Sequence, residues 1–158
     1  MAKDKLYMFN PFRIGEWTDK EVQEQFETLL NEYDHEADII SLMARNVEVL
    51  ANQMYLMGEM IARYSERVAN LKMEVKVKSA LIIQEERNAW VRINSKKVPA
   101  QAYFEAVADS KLMEERKQLI DCETRLTRFK YAYNSTEERM NAQKKKIDAF
   151  KYEEFGES

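Results

Sequence analysis

Asn94-Ser95-Lys96-Lys97-Val98-Pro99 is the only break in a very long helical pattern. No glycine lies between Gly58 and Gly156, and Pro99 is the only proline after Pro11. A proline inside a helix costs roughly 3 kcal/mol, yet it is tolerated at the first helical position, where its missing N–H has no partner to lose. The residue before it, Val98, is pushed toward extended backbone. These rules predict one helix ending near Ile93, a turn inside residues 94–99, and a second helix starting at Pro99 or Ala100. Helices joined by so short a connection are antiparallel neighbours. The expected fold class is all-α: a long antiparallel helical hairpin of the coiled-coil kind, with an N-terminal arm and helix, assembling as a homo-oligomer.

Apolar spacing carries the same message. Thr18-Asp19-Lys20-Glu21 fits a capping box. The ladder then runs Val22, Phe26, Leu29, Tyr33, a fault at Glu36, and Ile40, Met43, Val47, Leu50, Met54, Met57, Ile61, Tyr64, Val68, Leu71, Val75. From Ile40 to Val75 alternate steps of four and three continue unbroken, the signature of a coiled-coil seam. Beyond Val75 the seam degrades at Lys78 and Glu85. The return ladder is Ala108, Leu112, Leu119, Cys122, Leu126, Phe129, Tyr133, Met140, Ile147, Phe150, with faults at Glu115, Thr136 and Gln143. A turn centred between Lys96 and Lys97 makes residue x face about 193 − x. In that register residues 19–37 find no intrachain helix opposite them. Either the chain bends at residues 31–35 and folds back, or this helix packs on another subunit; the spare apolar rows favour the second. Residues 1–38 (irregular arm and acidic helix, for oligomerisation or partner contact) then form one region, and the hairpin of residues 39–158 the other.

Composition excludes several classes. Charged residues make up 34% of the chain and apolar ones 45%, with only three glycines and two prolines, a balance that suits long helices and excludes both a sheet protein and disorder. No apolar run is long enough to span a membrane, and no signal-peptide segment is present, so a cytoplasmic location is expected. The single cysteine, Cys122, rules out an intrachain disulfide and fits a buried small apolar group. Glu32-Tyr33-Asp34-His35 has the Glu-x-x-His spacing of di-iron bundles, but one histidine cannot supply two such motifs. Neither a nucleophile–base pair nor a glycine-rich phosphate loop appears. The expectation is no enzyme, no catalytic residue, no metal and no cofactor.

Charge is polarised along the chain. Residues 1–41 hold four basic against ten acidic side chains, residues 63–97 nine against four, and residues 111–151 eleven against seven. An acidic head on a basic hairpin implies either an anionic partner or a head-to-hairpin contact between subunits. Arg87, Trp90, Arg92, Lys96 and Lys97 gather at the reversal with Tyr103 and Phe104 just beyond it. Arg125, Arg128 and Lys130 alternate with aromatics on the return helix. Basic residues neutralise phosphates and aromatics stack bases, so both groups suit single-stranded DNA. A blander reading serves equally: aromatics that close the hairpin, and charged flanks that make interhelical salt bridges.

Residues 44–150 resemble the UvsY-like recombination mediator proteins of bacteriophages. The resemblance rests on Glu85-Glu86-Arg87-Asn88-Ala89-Trp90-Val91-Arg92, a short basic loop, Pro99 opening the return helix, Arg128-Phe129-Lys130-Tyr131-Ala132-Tyr133, and Lys144-Lys145-Lys146-Ile147. It implies a ring-forming single-stranded-DNA-binding protein that helps load a recombinase, with a recombinase or single-strand-binding protein and its own copies as partners. Arg87, Trp90 and Arg92 match the family's DNA-contacting positions. Two other functions remain open: a structural coiled-coil scaffold or assembly chaperone, and a small viral inhibitor that binds a host or defence protein through its acidic, aromatic arm.

Overall fold

A computed structural model describes residues 11–93 and 96–156, with side chains from residue 13. A 3-10 helix at Pro11–Glu16 precedes α1 (Asp19–Glu32), α2 (Ile40–Ile93), α3 (Gln101–Lys111) and α4 (Met113–Gly156). The described residues contain no strand, and none of their helices is long and apolar enough to cross a membrane. Two compact units divide the chain: Met1–Ala62 with Thr127–Ser158, and Arg63–Leu126. The boundary expected between residues 38 and 39 is therefore not where the chain divides.

In the first unit, α1 begins at the capping box read from the sequence. The Glu21 backbone N–H donates to Thr18 Oγ1 at 3.2 Å, and the Thr18 N–H donates to Glu21 Oε2 at 2.7 Å. The helix stops at Tyr33, whose backbone turns extended (φ −68°, ψ 121°). Asp34 then accepts the Glu36 N–H at 2.9 Å, tightening the bend in which the Glu36 fault of the ladder falls. Asn46, buried on α2, clamps this bend from the other side. Its Oδ1 accepts the Asp34 N–H at 2.9 Å and its Nδ2 donates to the Asp34 carbonyl at 2.7 Å. Further along, the buried Gln53 donates to the Leu29 carbonyl at 3.2 Å.

Those contacts pair residue 34 with 46 and residue 29 with 53, so α1 folds back antiparallel along α2. Its apolar face is closed within the chain: Val22 is 1% exposed and Leu29 2%. The expectation that this face packs on another subunit is thereby corrected, and the fold-back alternative holds. The physical reason is a second row on α2 beside the main seam. Asn46, Val49, Gln53, Leu56 and Met60 are all buried, and α1 supplies their cover. That row ends at Arg63, Arg67 and Asn70, none of which is buried, close to where the two units divide. Ile14 of the 3-10 helix is buried as well, whereas an irregular arm was expected there; residues 1–10 lie outside the described residues.

The main seam follows the ladder. On α2 the buried positions include Met43, Leu50, Met54, Met57, Tyr64, Val68 and Val75. On α4 the ladder positions from Leu119 to Phe150 are buried or half-buried. The expected register also holds within each unit. Lys78 meets Glu115 at 3.4 Å, Lys72 meets Glu123 at 2.9 Å, and Met54 lines a groove with Met140. Several polar faults in the ladders find partners. Lys78 pairs with Glu115, Thr136 Oγ1 donates to its own helix at the Ala132 carbonyl (2.8 Å), and Gln143 Nε2 donates to Tyr33 Oη (3.1 Å).

Two expectations about the return helix need correction. It starts at Gln101, with Ala100 as an extended N-cap residue (φ −64°, ψ 156°), so Pro99 stands outside the helix and not at its first position. It is also bent, at Leu112 (φ −106°, ψ 20°). The bend is mild because the i→i−4 bonds survive: the Leu112 N–H reaches Ala108 O and the Arg116 N–H reaches Leu112 O, both at 3.0 Å. Leu112 itself is buried, and an Asp109–Arg116 ion pair spans the junction.

Replacing Asn46 by alanine orphans both Asp34 backbone groups. Urea unfolding of Asn46→Ala is expected to show a loss of about 1–3 kcal/mol. Gly58 gives the opposite outcome. A Cβ there meets only Tyr133 Cε2 at 4.0 Å, an ordinary contact, so packing does not require a glycine. Gly58→Ala is expected to stabilise by about 0.4–1 kcal/mol in the same assay.

Candidate nucleic-acid interface

The second unit holds the basic, aromatic end of the chain. Phe104 is the anchor. It stands four residues before Ala108 on the return ladder, and its side chain is 0% exposed. Around it the other rings stack edge to face: Tyr103 against Phe104 (centroids 5.5 Å apart, 81°) and Trp90 against Tyr103 (6.1 Å, 89°). The Arg87 guanidinium sits 5.5 Å over the Phe104 ring and donates to Gln101 Oε1. Gln101 in turn donates to Glu105 at 3.3 Å, and Lys111 pairs with Glu86. Arg87 and Phe104 thus join the end of α2 to α3. Of the two aromatics expected beyond the reversal, Phe104 is closed to a base, while Tyr103 is exposed and Trp90 half-buried.

Arg92, Lys96 and Lys97 are exposed in the chain between Trp90 and Tyr103, in a stretch free of carboxylates from Arg87 through Phe104. They are the cations at the tip that a phosphate can reach most directly. Substituting them is expected to leave the fold intact, whereas Arg87 and Trp90 each touch the ring cluster.

Arg125 is placed differently. Its Nη1 donates to Tyr64 Oη at 3.0 Å, and that hydrogen bond is the main cause that raises its pKa above the ordinary arginine value. Arg67 lies 4.8 Å over the same Tyr64 ring. The contacts of Arg87 and Arg125 are separated by 23 residues of α2, or about 35 Å of helix. The two expected basic groups are therefore not gathered at one point within this unit. Arg128 and Lys130 are exposed and belong to the first unit. Sequence reasoning missed the Tyr64–Arg67–Arg125 cluster. Its signal was available, because Tyr64 is a ladder residue facing about residue 129 in the expected register, one helical turn from Arg125.

A salt-bridge set fills the degraded part of the seam. Lys78 Nζ lies 2.6 Å from Glu74 and 3.4 Å from Glu115. Its pKa is raised, first by Glu74 and then by Glu115. The Glu115 carboxyl is held below its ordinary value, first by its own backbone N–H near the start of α4, with Lys78 adding to the effect. Among the described residues, no three His, Cys, Asp or Glu side chains converge as metal ligands.

Compared with known proteins, this chain matches no family model, no curated protein and no solved structure.

Linkage sets the sign of the pH dependence. The lowered Glu115 contributes stability above the ordinary carboxylate pKa, and that contribution is lost as pH falls through the depressed value. The raised Lys78 contributes below the ordinary lysine pKa, and its share is lost as pH rises through the raised value. Glu115→Gln is accordingly expected to be less stable than wild type in urea at pH 7, with the difference vanishing on acidification. A difference that persists unchanged down to pH 2 contradicts this assignment.

Proposed function

We propose that this chain binds single-stranded DNA through the reversal between α2 and α3. One observation carries the reading: Arg92, Lys96 and Lys97 are exposed in the stretch of chain between Trp90 and Tyr103, whose rings meet, with no carboxylate from Arg87 through Phe104. Lysine and arginine neutralise phosphates whatever the sequence, and an exposed ring offers a stacking surface to any base. A duplex presents its bases edge-on inside grooves, whereas a single strand can lay a base on Tyr103. Arg125, Arg128 and Lys130 on α4 form a second basic group that would offer phosphate contacts of its own.

The resemblance to UvsY-like mediators takes this reading one step further. A protein that holds a single strand and associates with its own copies could help load a recombinase, with the recombinase or a single-strand-binding protein as the second partner. A structural or assembly role is favoured by a different observation. Met73, Val77 and Leu81 are exposed on α2, an apolar row at four-residue spacing that suits contact with another protein.

Anisotropy of a labelled oligonucleotide at several salt concentrations separates the two. In the DNA-binding reading, log K falls linearly with log salt, by about 0.7 per phosphate contact on a single strand. Arg92→Ala, Lys96→Ala and Lys97→Ala together are expected to reduce that slope by about two. Tyr103→Ala is expected to weaken binding at every salt concentration with the slope unchanged, because stacking releases no counterions. Absence of binding at low salt leaves the structural role.

A further inference from the structure

We infer that the acidic outer face of α1 in one copy docks on the basic tip of another, so that copies associate head to tail and single-stranded DNA competes with that contact. The inference rests on the tip being the anion-binding surface described above, and it adds a competitor for that surface. Residues 19–38 hold eight carboxylates against one lysine, Lys20. Glu24, Glu27, Glu36 and Asp38 are exposed among them. Once α1 has folded back, its apolar face is spent on α2, so what it presents outward is this charge.

Charge is not the only match. Leu30 is 45% exposed and stands three residues after Glu27, hence beside it on the helix surface, and the exposed Ile39 follows Asp38. At the tip, Ile93 is 84% exposed next to Arg92, with Val91 and Val98 also exposed. Each surface therefore combines stranded apolar side chains with charges of one sign, and the two signs are opposite. Apolar groups within a polar rim are the usual anatomy of a protein interface, and complementary charge sets its register and its rate of encounter. Because the two surfaces differ, the contact is heterologous: it links copies into rings or open chains, not into two-fold dimers. DNA phosphates and the α1 carboxylates would then seek the same three cations.

Sedimentation at low ionic strength tests this with the full-length chain. One variant reverses α1 and the bend that follows it (Glu24→Lys, Glu27→Lys, Glu36→Lys); the other reverses the tip (Arg92→Glu, Lys96→Glu, Lys97→Glu). Each alone is expected to associate at least about tenfold more weakly than wild type, and an equimolar mixture is expected to recover to within about threefold, since each variant then supplies the sign the other lacks. Wild-type association is expected to weaken about as much when salt is raised, and to reverse on addition of excess oligothymidylate. Wild-type protein that stays monomeric, association indifferent to salt or to either reversal, or two folded variants that fail to associate when mixed each overturn the inference. Assemblies that persist with oligothymidylate bound overturn the competition. Anisotropy on the α1-reversed variant separates this inference from the function itself. That variant keeps its tip and is expected to bind oligonucleotide at least as tightly as wild type. Failure to bind, with salt-sensitive association of wild type intact, would count against the DNA-binding reading and leave the head-to-tail contact standing.

Discussion

Everything in this chain depends on two antiparallel rows of side chains meeting at alternate spacings of three and four. α2 contributes Met43, Leu50, Met54, Met57, Tyr64, Val68 and Val75, and α4 answers with half-buried Leu119, Cys122, Leu126, Phe129, Tyr133 and Met140. Isolated helices are held mainly by the burial of one face, so neither helix would persist at this length without the other's row. The row also fixes register. A slip by one turn would part Lys78 from Glu115, and would take Gln143 away from Tyr33. The polar positions in the seam therefore act less as stabilisers than as markers of alignment, since partly exposed ion pairs contribute little on their own.

A second row decides how the N-terminal part is used. Asn46, Val49, Gln53, Leu56 and Met60 give α2 two adjacent buried faces over one stretch, and α1 closes the second. The two polar members of that row bond to backbone atoms of the bend and of α1, which ties the fold-back to specific positions. Folding back has a functional consequence. With Val22 and Leu29 committed to α2, the charge left on the surface of α1 is mostly acidic, with Leu30 exposed beside it. The acidic head is thus a product of packing as much as of composition.

At the other end, aromatic side chains divide between structure and surface. Phe104 is enclosed, Trp90 leans edge-on against Tyr103, and Arg87 rests on the Phe104 ring. That cluster closes the reversal where the apolar seam has given way to charge. It leaves Arg92, Lys96, Lys97 and the exposed Tyr103 as the chemistry available to a partner. At this end some aromatics close the hairpin, and the cations beyond them stay in water.

The helical architecture, both ladders, the capping box at Thr18, the end of α2 at Ile93 and the approximate pairing of x with 193 − x were all legible in the sequence. Each follows from local rules: proline and glycine placement, side-chain capping, and helical periodicity. The fold-back of α1, the bend at Leu112 and the burial of Phe104 came only from the tertiary structure. A row of apolar residues states that it must be covered but not by which surface, and residues 19–37 suited a neighbouring subunit as well as α2. What decided between them was Asn46 and Gln53 bonding to the backbone of the bend and of α1, a match across 12 and 24 residues that no local spacing encodes. The same holds at the tip. Sequence placed basic and aromatic residues together there, and only packing determined which rings were enclosed and which cations remained in water.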